Sequence, residues 1–249
     1  MIKTILITGA TSGFGKAIAE KFAAAKWNCI ITGRRKEKLE EVAAALVIEH
    51  DVKVLPLVFD VQDRAAVFNA IENIPAEWKN IDVLVNNAGL ALGRDNFDVA
   101  NIDDWETMMQ TNVNGLLYVT KAVLPYMTSK QKGHIINMGS VAAKEIYQFG
   151  NGYCGSKAAV DALSHTTGIQ IKPKAEVLKG LTGKARVTAL KKMASTKAKQ
   201  TYAGFTPLTA QDIADTIFYC ATLPEHVCIN DLTITCTAQA DAIYFHKEP

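Results

Sequence analysis

The hydrophobic pattern of the chain changes period at short, regular intervals. Near-continuous apolar or β-branched runs occur at "KTILITG" (3–9), "NCIITG" (28–33), "VKVLPLVFD" (52–60), "IDVLVNN" (81–87), "GHIINMGS" (133–140) and "DLTITC" (231–236). Each has strand length and is bounded by glycine or polar residues, which predicts buried strands. Between them, apolar residues return every third or fourth position over 14–26, 36–47, 63–73, 103–129, 152–170 and 210–222, the spacing of amphipathic helices. Pro56 lies inside the third run. Proline cannot donate to a sheet ladder, so that strand is expected at an edge or a bulge. Strands alternating with helices predict βαβ units with right-handed crossovers. The expected fold is α/β: one Rossmann-type domain over residues 1–249, a doubly wound parallel sheet of about seven strands flanked by helices.

Composition narrows this picture without redirecting it. The 249 residues are 49% hydrophobic and 21% charged, enough to bury a sizeable core. A net charge of +2 gives no global reason to expect nucleic acid or a membrane surface as partner. No apolar run reaches membrane-spanning length, and "MIKTILITGA" enters a strand pattern without a cleavable leader, so a cytoplasmic location is expected. Cys29, Cys154, Cys220, Cys228 and Cys236 form no CxxC pair, and the five histidines have no telling partner. Reduced thiols and no metal site are expected.

The first chemical signal follows the first strand. "TGATSGFG" runs from Thr8 to Gly15 and opens a helix. Gly9, Gly13 and Gly15 permit a tight turn and a close backbone approach, with Thr11, Ser12 and Phe14 between them. The helix N-terminus behind them favours an anionic phosphate. A glycine-rich turn can follow any strand, but this strand-turn-helix context favours a dinucleotide. An NAD site of this kind wants an acid on the ribose about 20 residues beyond the glycines. The chain instead has Arg34 and Arg35 after Gly33. A guanidinium suits a 2′-phosphate, so NADP(H) is expected, with Arg34 setting the preference. Two arginines beside Lys36 also read as a solvated helix start.

The second signal is "YCGSK", Tyr153 to Lys157. Positions i and i+4 share a helix face, and a cation one turn away favours a phenolate. A proton donor usable near neutral pH would result. Alone, the same spacing describes an exposed polar helix face.

Taken with "NNAG" (86–89), Asn112, Ser140 and the interval from Ser140 to Tyr153, these motifs resemble the short-chain dehydrogenase/reductase family. The resemblance covers residues 1–170 and, less closely, 205–236. Within that family, "NNAGLALG", "AEWKNIDVLVNNAG", "DWETMMQTNVNGL" and "LPEHV" are similar to the NADP-dependent 3-hydroxy acid dehydrogenases, also described as serine or L-allo-threonine dehydrogenases. The resemblance implies hydride transfer between NADP(H) and a small hydroxy acid or carbonyl substrate. It implies that Tyr153 gives or takes the proton and that Ser140 holds the carbonyl oxygen. Lys157 would lower the tyrosine pKa and hold the nicotinamide ribose, and Asn112 would support a water-linked relay. Asp60 and Val61 would face the adenine, and Asn86, Asn87, Ala88 and Gly89 would close the floor. A homotetramer is implied as well. Two alternatives stay open: reduction of another carbonyl (keto-uronate, sulfo-aldehyde or ketone), and a cofactor-binding regulatory protein.

The resemblance breaks over 172–203, an atypical substrate-loop region. Members usually carry a strand ending in Pro-Gly, a threonine and then a substrate loop. Residues 172–200 lack Pro-Gly and hold nine Lys or Arg against the single acid Glu176. Two registers compete for the strand. By residue type, "ARVTAL" (185–190) fits. By spacing from Lys157, "AEVLKGLTG" (175–183) fits, with Gly183 at the glycine of Pro-Gly. Spacing is preferred, which predicts a strand near 175–180 and a lid-like segment to about 203.

Overall fold

The computed structural model describes residues 2–170, 184–188, 206–224 and 226–237. Among these, seven strands form one parallel sheet: β1 (Thr4–Ile7), β2 (Asn28–Gly33), β3 (Val54–Val58), β4 (Val83–Asn86), β5 (His134–Gly139), β6 (Lys184–Thr188) and β7 (Leu232–Thr233). Their order is β3-β2-β1-β4-β5-β6-β7. β3 is an edge strand, where the Pro56 pairing with Ile31 removes one donor at little cost.

Among the described residues, seven helices flank the strands: α1 (Gly13–Ala24), α2 (Lys36–His50), α3 (Arg64–Glu72), α4 (Ile102–Met109), α5 (Gly115–Ser129), α6 (Asn151–Gln170) and α7 (Ala210–Thr222). Successive side chains on a strand point to opposite faces. Ile5 and Ile7 therefore enter one core, with Ile18 and Phe22 of α1, Leu39 and Leu46 of α2, and Ile217 of α7. Leu6 and Leu84 enter the other, with Val67 and Ile71 of α3 and Val119 and Val123 of α5. Both faces are covered, which is why the strand runs read as continuously apolar. The two-sided wrapping leaves a crevice beyond the C-terminal ends of β1 and β4, where the chain departs in opposite directions.

Two local features depart from expectation. The helix expected over 103–129 begins at Ile102 and is interrupted by a π turn, Gln110–Asn114. The strand preferred near 175–180 is not the one that pairs with β5. Lys184–Thr188 takes that place, with Ile136 opposite Ala185 and Met138 opposite Val187. The register chosen by residue type is the correct one. A parallel strand must fit the pleat, which selects β-branched residues, whereas a longer connection costs only about 0.6 kcal/mol per doubling. The lid-like segment expected over the rest of 172–203 lies outside the described residues.

Candidate active site

The crevice is built by two strand ends stitched together. The Thr8 N–H donates to the Val85 carbonyl at 3.0 Å. Its hydroxyl accepts from the Asn87 and Ala88 N–H groups at 3.0 and 2.9 Å. The Asn87 amide donates to the carbonyls of Thr8 and Gly9 at 2.8 and 3.2 Å. Gly9 has φ +68°, a left-handed conformation that glycine adopts without strain. A Cβ on Gly15 would collide with the Gly9 carbonyl and the Asn87 amide, so only glycine allows α1 to start this close to β1.

These elements enclose a cleft of 720 Å³. Gly9, Thr11, Ser12, Gly13 and Phe14 line one side, Arg34, Arg35, Asp60 and Val61 another, and Asn87, Ala88 and Gly89 a third. Gly15 stands behind the turn and provides its clearance. Ser12 makes no side-chain cap and no acid occupies the first turn of α1. The uncapped N–H groups suit an anion. Two guanidinium groups, a bare helix N-terminus and a glycine-cleared surface fit a phosphorylated dinucleotide.

The two arginines take different positions. Arg35 donates to the Thr11 hydroxyl at 2.6 Å and to the Ser12 hydroxyl at 3.3 Å, which bends it over the glycine turn. Arg34 faces the Asp60 carboxylate at 3.3 Å. The other oxygen of that carboxylate accepts from the Gln62 N–H at 3.0 Å. The sequence pattern marked both arginines but gave Arg34 the leading role; the geometry puts Arg35 nearest the turn.

At the far end of the cleft, the π turn carries Asn112, which is almost fully buried. Its carbonyl oxygen accepts from the Leu90 N–H at 2.8 Å. Its amide donates to the Leu90 carbonyl at 2.8 Å and to the Ser156 hydroxyl at 3.0 Å. Ser156 in turn donates to the Tyr153 carbonyl at 2.9 Å. Asn112 thus clamps the segment after β4 to the first turns of α6. Lys157 is buried, and its ammonium donates to the Met138 carbonyl of β5 at 2.8 Å. A Cβ on Gly89 would lie 3.0 Å from the Asn112 carbonyl oxygen and 3.8 Å from the Lys157 ammonium. Gly89, Asn112 and Lys157 therefore share one small volume under the cleft floor.

Ser140 follows β5 and is fully buried. Its hydroxyl accepts from the Ala142 N–H at 3.2 Å and caps a short turn, Val141–Ala143, against which α6 packs. Tyr153, in the first turn of α6, is partly exposed. Gln62 and Thr111, which line the cleft, and Ser156 were not singled out in the sequence. Only Ser156 had a signal, its place inside "YCGSK". No group of three or more His, Cys, Asp or Glu suited to a metal occurs among the described residues, and none of their helices is long and apolar enough to cross a membrane.

Residues 3–210 match the family model described as short chain dehydrogenase. The chain belongs to this family. It is 42% identical over 246 residues to the NADP-dependent 3-hydroxy acid dehydrogenase YdfG of Salmonella typhi, covering 96% of each chain. It is 40% identical over 249 residues to sulfoacetaldehyde reductase 2 of Chromohalobacter salexigens, again covering 96% of each. Among solved structures, the closed form of serine dehydrogenase complexed with NADP+ superposes with a TM-score of 0.85 at 38% identity. That match covers 96% of this chain and 97% of the other.

Proposed function

We propose that this protein is an NADP(H)-dependent oxidoreductase that interconverts a small 3-hydroxy acid, of the serine, allo-threonine or 3-hydroxyisobutyrate type, with its carbonyl form. The observation that carries the reading is the shared volume of Gly89, Asn112 and Lys157 at one end of a cleft whose other end presents Arg34, Arg35 and an uncapped helix N-terminus. The names of the similar dehydrogenases support the cofactor and the substrate class.

The residues that would hold NADP(H) are Gly9, Thr11, Ser12, Gly13, Phe14, Arg34 and Arg35 at the phosphate end. Asp60, Val61, Asn87, Ala88 and Gly89 extend along the cleft, with Gly15 keeping the turn clear. When bound, the cofactor supplies or accepts the hydride. The chain's own work is positioning and proton handling. Ser140 holds the substrate oxygen on which charge changes. The Tyr153 hydroxyl gives that oxygen a proton in reduction and takes it back in oxidation. Lys157 places a fixed cation one helical turn from the phenol and anchors it to β5. Asn112 holds Leu90 and Ser156, and so fixes the path behind the lysine by which the proton reaches water. A homotetramer, implied by the resemblance of the sequence motifs, belongs to this proposal. A cytoplasmic location is part of the same proposal.

A second reading keeps the chemistry and changes the substrate to a small anionic aldehyde, favoured by the similarity to a sulfoacetaldehyde reductase. The test is a panel of small hydroxy acids with NADP+ and of aldehydes, including sulfoacetaldehyde, with NADPH, followed by the absorbance of reduced nicotinamide. Turnover of 3-hydroxy acids above all others supports the first reading. Preference for a bulky uncharged ketone refutes both, and cofactor binding without any turnover points to a regulatory protein.

A further inference from the structure

The adenine end of the cleft and the catalytic end are joined by one side chain. Gln62 follows Asp60 and Val61 and is half-buried at the cleft wall. Its amide donates to the Thr111 hydroxyl at 2.9 Å. Its backbone carbonyl accepts from the Gln110 amide at 3.3 Å. Gln110 and Thr111 are the first two residues of the π turn, and Asn112 is the third. The same turn is flush with Val61, because a Cβ on Gly115 just beyond it would lie 2.8 Å from a Val61 methyl. A continuous set of bonds thus runs from Arg34 through Asp60, Gln62 and Thr111 to Asn112, Leu90 and Ser156.

A π turn is an uncommon insertion in a helix, and its register needs support from outside the helical ladder. Here that support comes from the loop after β3 on one side and from Leu90 on the other. We propose that Gln62 and Thr111 are positioning residues which hold the π turn so that occupation of the adenine end of the cleft fixes Asn112. The inference rests on the proposed oxidoreductase reading for its consequence in turnover, but not for the coupling itself.

The coupling has a direct reporter. The Leu90 N–H donates to Asn112, so its hydrogen exchange reads that bond. The probe is adenosine 2′,5′-bisphosphate, which fills the adenine end and carries no nicotinamide. In the wild type it is expected to slow exchange at residues 60–62, at Leu90 and across the π turn. In Thr111→Val, slowing at 60–62 should persist while slowing at Leu90 is lost; Thr111→Ser, which keeps the hydroxyl, should restore it. Gln62→Ala should behave as Thr111→Val does. In turnover at saturating NADPH, Gln62→Ala and Thr111→Val should each lower kcat by about fivefold, the size of one ordinary hydrogen bond, and the double variant should fall no further. Slowing at Leu90 that survives Thr111→Val overturns the proposal. So does a rise in the KM for NADPH with kcat unchanged, or additive losses in the double variant. If the wild type turns over no substrate, the proposed function fails, while the exchange experiment still decides the positioning role.

Discussion

Replacing Arg35 with alanine is expected to weaken NADP(H) far more than NAD(H), and to do so more than replacing Arg34. Arg35 already bends over the glycine turn, held by Thr11 at 2.6 Å and Ser12 at 3.3 Å, so little rotamer freedom remains to be lost on meeting a phosphate. A hydrogen bond to a charged group is worth about 1.5–3 kcal/mol, which corresponds to roughly a tenfold to hundredfold loss in affinity. Arg34 is turned toward Asp60 in an ion pair whose arginine side is 64% exposed. Arg34 must give up this pair, worth about 0–1 kcal/mol, before it can meet a phosphate, so Arg34→Ala should cost less affinity than Arg35→Ala. The assay is a fluorescence titration of NADPH and NADH against the wild type and both variants, at low and high salt. Charge recognition predicts that the NADPH advantage shrinks as salt rises. The reasoning fails if Arg34→Ala costs more than Arg35→Ala, or if NADH and NADPH weaken equally. An acid at Gly33 is a poor route to NAD(H) preference. A Cβ there would lie 2.7 Å from the Thr11 methyl and would push on the very turn that holds Arg35.

Tyr153→Phe should abolish turnover while leaving NADPH affinity within about twofold, because the ring stays and only the proton donor is lost; normal turnover by that variant would sink the mechanism. Lys157→Ala should lower both turnover and affinity, since the ammonium is tied to the Met138 carbonyl beneath the cofactor cleft, and the KM for NADPH is the quantity to follow. His134 has its pKa pulled down from 6.5 to about 4 by burial. The unfolded chain therefore binds more protons between these values, and stability should fall as pH drops from 6.5 to 4. Full shielding would make this about 3 kcal/mol, and the partial exposure of His134 makes it less; His134→Gln should flatten the slope in denaturant titrations across that window. Thr209 and Asp212 form a reciprocal capping box on α7, so Thr209→Ala should lower unfolding stability by about 1 kcal/mol without altering turnover.

Much of the fold was legible because strand and helix periods are local properties. Residues 28–33 and 210–222 match β2 and α7 to the residue, since a buried strand bounded by glycine and a capped amphipathic helix carry their limits in adjacent side chains. Pro56 announced an edge or a bulge, where a missing N–H is tolerated, and β3 lies at the edge. The glycine turn and the two arginines that line the cleft were legible for a related reason: they are distinctive types at fixed offsets after β1 and β2. The sequence could not tell which of two candidate stretches joins β5, because that is decided by fit to a strand distant along the chain, with Ile135 opposite Lys184. It could not show that Arg35 and not Arg34 bends over the glycine turn, since both are adjacent and only the positions of Thr11 and Asp60 distinguish them. The π turn at Asn112 left no mark on the hydrophobic pattern. Gln62 and Leu90, 48 and 22 residues from their partners in the turn, meet it from two sides, and such meetings are properties of the packed chain alone.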